Sequence, residues 1–389
     1  MTMQPEVFAV IPVYNRIQFT RTCVECLKSQ TYPRLHIVVV DGGSNDDTVN
    51  LLRREHPDVT VLHGNGVLWW TGAMRLGIEY ALARSCDERD MVLMMNNDTL
   101  FGPDYVGTLV RISLAEQAAV GALTVDSRDP TRILEAGVLI NWPSYSFVAN
   151  NTVEPAETFV EADVLPGRGT LVPLQMIRAA GNVDDEMFPH YIADYEFFSR
   201  LRRHGFRLGA TCQTMIQTHV EETGLHVGAS RDLTFRQAWK MLFSIKSQHR
   251  VRDHWRFIDR CAPAELQRRL KRLLIWRSVL LALSTTKLRH VVFPLAWWLA
   301  GPYYITEDDC RRDGLSAQAL VKDKILAPWL KSGWYEFAQP RQEWWPIRPD
   351  VRRLYLRAWN PLTKINRWRK AKAHRRSVSL RQGAKEIRA

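Results

Sequence analysis

The chain has 389 residues, 46% of them hydrophobic and 24% charged, enough for a sizeable core and two or three domains. Its net charge of +12 is uneven: residues 350–389 hold 13 Lys/Arg against 2 acids, so the basic character belongs to a tail suited to an anionic membrane surface. No aromatic-interleaved recognition module accompanies that charge, which argues against nucleic acid. Six cysteines with only Cys23 and Cys26 closely spaced make no zinc site or disulfide framework and fit reduced thiols, and the first residues lack a signal-peptide pattern.

Residues 7–13 form an apolar run ending near Pro12 and read as a strand. Residues 19–30 follow as a helix, with Cys23, Cys26 and Leu27 able to share a face. The β-branched run 36–40 is a second strand, 49–55 a helix, 59–62 a short strand, 72–84 a helix and 91–95 a buried strand. This alternation predicts a parallel sheet covered by helices. Further on, 119–123 and 137–140 read as strands, 171–180 as a helix, and 193–204 as a helix stopped by Gly205. The most apolar stretch is 273–305. Its uncharged part, 291–305, carries two prolines and a glycine and is short for a span of about 20 residues, so the readings are two interfacial helices or a helical hairpin dipping into one leaflet, and against them a buried helix pair. Tryptophans continue at Trp329, Trp334, Trp344, Trp345, Trp359 and Trp368.

Asn96-Asn97-Asp98 follows the strand at 91–95. A carboxylate at such a strand tip sits where open α/β sheets bind ligands, and can hold Mg²⁺ or Mn²⁺ against a diphosphate. An Asn-Asp turn closing the strand is the other reading. Asp41 ends the second strand and can accept hydrogen bonds from a nucleobase or ribose, while Ser44, Asn45, Asp46 or Asp47 can cap the next helix. The dinucleotide fingerprint is missing: Gly64 and Gly66 are a lone pair, and the pattern fails at Trp69. Asp194 and Glu196 open a helix, where acids also favour the dipole. Gly167-Arg168-Gly169 reads either as a loop offering amides to substrate or as a plain turn.

These motifs in this order resemble family 2 glycosyltransferases of the GT-A type. The resemblance rests on Ile11-Pro12-Val13-Tyr14-Asn15, Asp41 to Asp46, Gly64 to Gly77, Asn96 to Asp98, Gly167 to Thr170, Ala193 to Glu196 with Arg200, Gly205-Phe206 and His219. It covers residues 7 to about 225 and is strongest with rhamnosyltransferase-like enzymes of bacterial surface polysaccharide assembly. It implies an α/β fold, a GT-A Rossmann-like mixed sheet with helices on both faces, plus a helical Trp-rich C-terminal region. The implied domains are 1–230 (catalytic), 231–310 (helical, membrane-associating) and 311–389 (basic extension).

The resemblance also implies roles. Pro12, Tyr14, Asn15 and Asp41 would hold base and ribose; Trp70, Gly72, Arg75 and Asn97 complete the nucleotide-sugar site. Asp98 and His219 would ligate Mg or Mn, with Asn96 standing where the family's metal motif has its first Asp. Asp194 would be the catalytic base, preceded by Ala193 rather than the usual Glu, and Gly167, Arg168 and Glu196 would face the acceptor. The function implied is inverting transfer from dTDP-rhamnose or a UDP-hexose to a glycan or polyprenyl-diphosphate-linked acceptor. The enzyme would be cytoplasmic and peripheral to the inner membrane, with homo-oligomerisation left open. A catalytically silent sugar- or membrane-binding scaffold is the alternative, motivated by the two missing acids.

Overall fold

A computed structural model describes residues 4–151, 153, 158–219 and 235–284. The chain divides into a first unit of 1–285 with 331–333 and a second of 286–330 with 334–389. The second unit lies outside the described residues, as do most of the apolar 273–305 stretch, the later tryptophans and the basic tail.

The strands are β1 Val7–Val13, β2 Leu35–Asp41, β3 Thr60–His63, β4 Met91–Met94, β5 Thr99–Phe101, β6 Ala118–Asp126, β7 Ile133–Glu135, β8 Val138–Asn141, β9 Ser146–Ala149, β10 Val160–Glu161, β11 Thr170–Pro173 and β12 Arg207–Thr218. The helices are α1 Ile17–Lys28, α2 Thr48–Glu55, α3 Trp70–Arg84, α4 Tyr105–Glu116, α5 Leu174–Ala180, α6 Ala193–Arg203, α7 Phe235–Phe243, α8 Val251–Cys261 and α9 Ala264–Ser284. The main sheet runs β10-β12-β6-β11-β4-β1-β2-β3, with β5 paired to β12 and β7 to β6; β8 and β9 form a separate hairpin. β1 is parallel to β2 and β4, whereas β11 is antiparallel to β4, so the sheet is mixed.

β1 sits at the centre because it is apolar on both faces. Val7, Ala9, Ile11 and Val13 enter one core cluster with Val24, Leu27 and Leu109 of α1 and α4. Phe8 and Val10 enter the other, with Met74 and Ile78 of α3 and Phe197 and Phe198 of α6. Alternation along the pleat therefore builds a helix layer on each side. The α3 layer comes very close: a Cβ built on Gly77 would lie 2.2 Å from Cγ1 of Val10. The chain leaves β1 toward β2 and β3, then crosses back to β4 on the other side of β1. That reversal opens a crevice beyond the strand tips of β1 and β4.

A third core cluster joins α8 and α9 to the same unit, packing Phe257, Ile258, Leu270 and Leu274 against Tyr145, Phe188 and Ile192. Among the described residues no helix is long and apolar enough to cross a membrane.

The expected mixed α/β sheet with helices on both faces is present. One local reading is corrected. Residues 171–180 are not one helix: 170–173 form β11, fully buried between β4 and β6, and α5 starts after Pro173. Burial on both faces suits the apolar Leu171 and Val172 to a strand, and Pro173, with no N–H, ends the pairing. The long strand β12 carries a register shift between Thr211 and Met215 and leads directly to His219.

Candidate active site

Three loops meet at the open end of the parallel strands. After β1, Asn15 and Arg16 both take left-handed backbone (φ 58° and 63°). The turn is held by the loop after β2. Asn15 N donates to Ser44 Oγ (2.7 Å), Asn45 N donates to Asn15 Oδ1 (2.9 Å), and Ile17 N donates to Asp46 Oδ2 (2.9 Å). Asp46 also accepts from Thr48 N at 3.3 Å, so it closes the start of α1 and α2 together. Gly43 (φ 98°) meets the third loop, where a Cβ would lie 3.0 Å from Cα of Gly66. Asp41 is buried and accepts from the amides of Ser44 (3.1 Å) and Gly43 (3.2 Å). Pro12 is half-buried, and Tyr14 is 60% exposed with its Cδ2 3.7 Å from a Cβ built on Gly42.

The three residues of the Asn96-Asn97-Asp98 turn point different ways. Asn96 Oδ1 accepts from Nε1 of Trp70 (2.8 Å). Asn97 is largely buried, donates to Thr20 Oγ1 of α1 at 3.0 Å, and lines the same pocket as Asp98. Asp98 accepts from Arg16 through Oδ2 (3.2 Å), while its buried Oδ1 has no hydrogen-bond partner among the described residues. Asp98 and His219 line one open pocket of about 200 Å³ with Phe19, Thr22 and Leu100. The His219 ring is held by Ser127 Oγ at Nδ1 (3.0 Å) and by the edge of Phe19, centroids 5.1 Å apart.

A divalent cation fits this donor set. An orphaned carboxylate oxygen and an imidazole share one pocket, and a hard cation accepts both. Among the described residues no group of three His, Cys, Asp or Glu could hold a metal alone. Phosphate oxygens would have to complete the shell.

Asp194 stands in the first turn of α6. Ile192, two residues before it, has φ 63°, a costly conformation for a β-branched residue. Asp194 Oδ2 accepts from Gly167 N (3.0 Å) and Oδ1 from its neighbour Tyr195 N (2.9 Å). Burial raises its pKa above the ordinary carboxylate value, against those amides and Arg168, which lower it. Arg168 forms a 2.6 Å ion pair with buried Glu135; burial opposes its charge, but Glu135 outweighs that and raises its pKa. Tyr191 lies where Arg16 and Asp98 both act on its buried hydroxyl, so the segment before α6 reaches the Asp98 end of the crevice.

Trp70 connects the two ends. Beyond its bond to Asn96, its ring edge covers Gly167: a Cβ there would lie 2.4 Å from Cη2 of Trp70 and 3.3 Å from Cβ of Asp194. Gly72, one turn into α3, faces Leu68 and Asp185. Arg75 forms ion pairs with Asp185 (2.7 Å) and Glu79 (2.9 Å), and Asp185 chiefly raises its pKa. Glu196, expected at the acceptor, is fully buried instead, with its oxygens on Arg200 and Arg260. The sequence alone does not single out Ser127 or Tyr191, neither of which carries a motif signature.

The model described as "Glycosyl transferase family group 2" matches residues 91–306, and "Glycosyl transferase family 2" matches 8–163. An uncharacterized glycosyltransferase, YibD of Escherichia coli (strain K12), is 29% identical over 124 residues, 30% of this chain and 33% of that protein. The glycosyltransferase AglE of Haloferax volcanii is 40% identical over 52 residues, 13% of this chain and 17% of that protein. The chain thus spans a third or less of the length of these curated relatives. Among solved structures, the mannosyltransferase PcManGT of Pyrobaculum calidifontis, in complex with GDP-Man and Mn2+, is 18% identical with a TM-score of 0.48, covering 87% of this chain and 89% of that one. GalNAc-T7 with UDP, GalNAc and Mn2+ is 14% identical with a TM-score of 0.46, covering 56% of this chain and 44% of that one.

Proposed function

The chain belongs to glycosyl transferase family group 2, and from that premise we propose that it is an inverting glycosyltransferase using a nucleotide-sugar donor. The observation that supports this reading is the link from Asn96, whose neighbour Asp98 lines the pocket, through Trp70 and Gly167 to Asp194, the carboxylate that would serve as base. Pro12, Tyr14, Asn15 and Asp41 flank the base and ribose. Asp98 and His219 would hold Mg²⁺ or Mn²⁺, which when bound would neutralise charge on the leaving diphosphate.

The step needs one base. The acceptor hydroxyl attacks the anomeric carbon, the bond from that carbon to the diphosphate oxygen breaks, and its electron pair leaves with the diphosphate. The hydroxyl proton passes to Asp194, whose raised pKa suits it to take a proton. Arg168 lies close enough to act on Asp194 electrostatically and keeps its charge through Glu135.

The donor is dTDP-rhamnose or a UDP-hexose, and the acceptor a glycan or polyprenyl-diphosphate-linked glycan of surface polysaccharide synthesis. The enzyme works at the cytoplasmic face of the inner membrane. Support for membrane contact comes from α9, where Arg268, Arg269 and Arg272 are exposed and lead to exposed Ile275 and Trp276. A thermal-shift screen of nucleotide sugars with and without Mn²⁺ tests the reading. Stabilisation by a dTDP- or UDP-sugar that depends on Mn²⁺ is expected; no stabilisation by any nucleotide sugar would sink it. Turnover surviving Asp194→Asn would instead remove Asp194 as the base.

A further inference from the structure

The acceptor hydroxyl must reach Asp194, so the acceptor lies on the segments that bracket that carboxylate. Trp69 immediately precedes Trp70, whose ring covers Gly167 beside Asp194. His190 stands four residues before Asp194. The Trp69 and His190 rings meet with centroids 5.6 Å apart at a 43° tilt. Thr71 fixes this arrangement: its N–H donates to Pro189 O (3.3 Å) and its hydroxyl to His190 O (3.4 Å). Lys246, exposed after α7, brings its ammonium to 6.0 Å from the Trp69 ring. That distance is the outer limit of cation–π attraction, so an arriving ring can displace it. The Nδ1 atom of His190 is buried without a hydrogen-bond partner among the described residues. Burial and Lys246 keep the imidazole neutral, with a pKa lowered to about 4, so its ring nitrogens offer one donor and one acceptor.

We propose that Trp69, His190 and Lys246 form an acceptor subsite for a hexopyranosyl phosphate. The apolar face of the sugar rests on Trp69, its hydroxyls meet His190, and the phosphate is drawn by Lys246, a compact point charge suited to it. None of the three belongs to the Asp41–Asp98 donor network. The assignment rests on the glycosyltransferase reading and specifies its acceptor chemistry.

The test is calorimetric titration of the full-length protein, held saturated with UDP or dTDP and Mn²⁺ so that the donor site is filled. The probes are glucose 1-phosphate, N-acetylglucosamine 1-phosphate, the two free sugars and inorganic phosphate. At least one sugar phosphate should bind about tenfold more tightly than its free sugar and than phosphate. Trp69→Leu should abolish that binding, Trp69→Phe should keep it within about threefold, and Lys246→Gln should reduce it to the level of the free sugar. Nucleotide binding should be unchanged in all three variants. Sugar phosphates that bind no better than phosphate, or whose affinity ignores both Trp69→Leu and Lys246→Gln, would overturn the subsite. Failure of the wild type to bind any nucleotide would instead overturn the glycosyltransferase reading. A parallel arm presents polyprenyl-phosphate-linked glucose in phosphatidylcholine vesicles. Tighter capture there supports the subsite with a lipid-linked source, and equal capture supports it with a soluble one.

Discussion

The indole N–H of Trp70 donates to Oδ1 of Asn96 at 2.8 Å while the far edge of the same ring closes over Gly167. One rigid side chain thereby spans from the strand-tip motif to the amide that holds Asp194. This arrangement tolerates no side chain at position 167. Gly167→Ala should displace Trp70 or the 167–169 loop, at an overpacking cost of about 1–3 kcal/mol. Transfer activity should fall at least about tenfold in kcat, with nucleotide affinity changed less, because the proposed base moves and the Asp41 loop does not. Steady-state kinetics with a nucleotide-affinity measurement checks this; equal loss of both would place the damage elsewhere. Trp70→Phe keeps an aromatic ring but drops both the bond to Asn96 and the Cζ2–Cη2 edge over Gly167, and should still retain more activity than Trp70→Leu.

As the proposed base, Asp194 would set the pH dependence. Its pKa is raised, chiefly by burial, so the reactive ionised form appears only above the ordinary carboxylate range. A base must be deprotonated, and the acid limb of kcat/KM should therefore sit higher than an exposed aspartate would give. Asp194→Asn should remove that limb and lower kcat by about 10²–10⁴. A pH–rate profile whose acid limb is identical in wild type and variant would dismiss the residue as base.

Glu196 bears on stability rather than on chemistry. It is 0% exposed and pairs with Arg200 and Arg260, joining α6 to α8. Arg200 also donates to the carbonyls of Gly181 (2.9 Å) and Asn182 (2.8 Å), which fixes the chain after α5. Glu196→Ala would take the carboxylate from both guanidinium groups while leaving Arg200 its carbonyls and Arg260 its Asp184 partner, and should cost about 1–3 kcal/mol. Urea unfolding measures this, and nucleotide affinity of the remaining folded fraction should be unchanged. A loss below about 1 kcal/mol would mean that water reaches and solvates the arginines.

The parallel half of the fold was legible because β1, β2 and β4 are short apolar runs separated by helices of clear period. β11 was not, since Thr170–Pro173 runs into apolar α5 without a polar break. β12 was missed because its alternation is weak and its register shifts after Thr211. The positions of Asp41, Asp98, Asp194 and His219 follow from motif order. What they touch does not: Arg16 meets Asp98 across 82 residues of sequence, and Trp70 meets Asn96 across 26. Asn97 and Glu196 show the converse. Each sits inside a motif, yet one side chain is bonded to Thr20 and the other to two arginines.

Buried His249 and His254, with half-buried His190, make the fold acid-sensitive. Burial is the main cause that lowers His190 to about 4, His249 to about 3 and His254 to about 4, all from 6.5. His254 is neutral between Tyr145, whose hydroxyl lies 2.9 Å from Nδ1, and Gln248 O, 2.9 Å from Nε2. The folded state takes up these protons only at lower pH than the unfolded chain does. Above pH 6.5 both states are neutral and the full stability is present. As pH falls below 6.5 the unfolded chain is protonated first, and stability drops until the folded values are reached. Each histidine contributes a slope of up to about 1.4 kcal/mol per pH unit in that window. Thermal melts between pH 7 and pH 4 should show Tm falling steadily from about pH 6.5. His249→Gln and His254→Gln should each flatten the fall. A Tm constant from pH 7 to pH 5 would show that these imidazoles gain protons in the folded protein as readily as in the unfolded one.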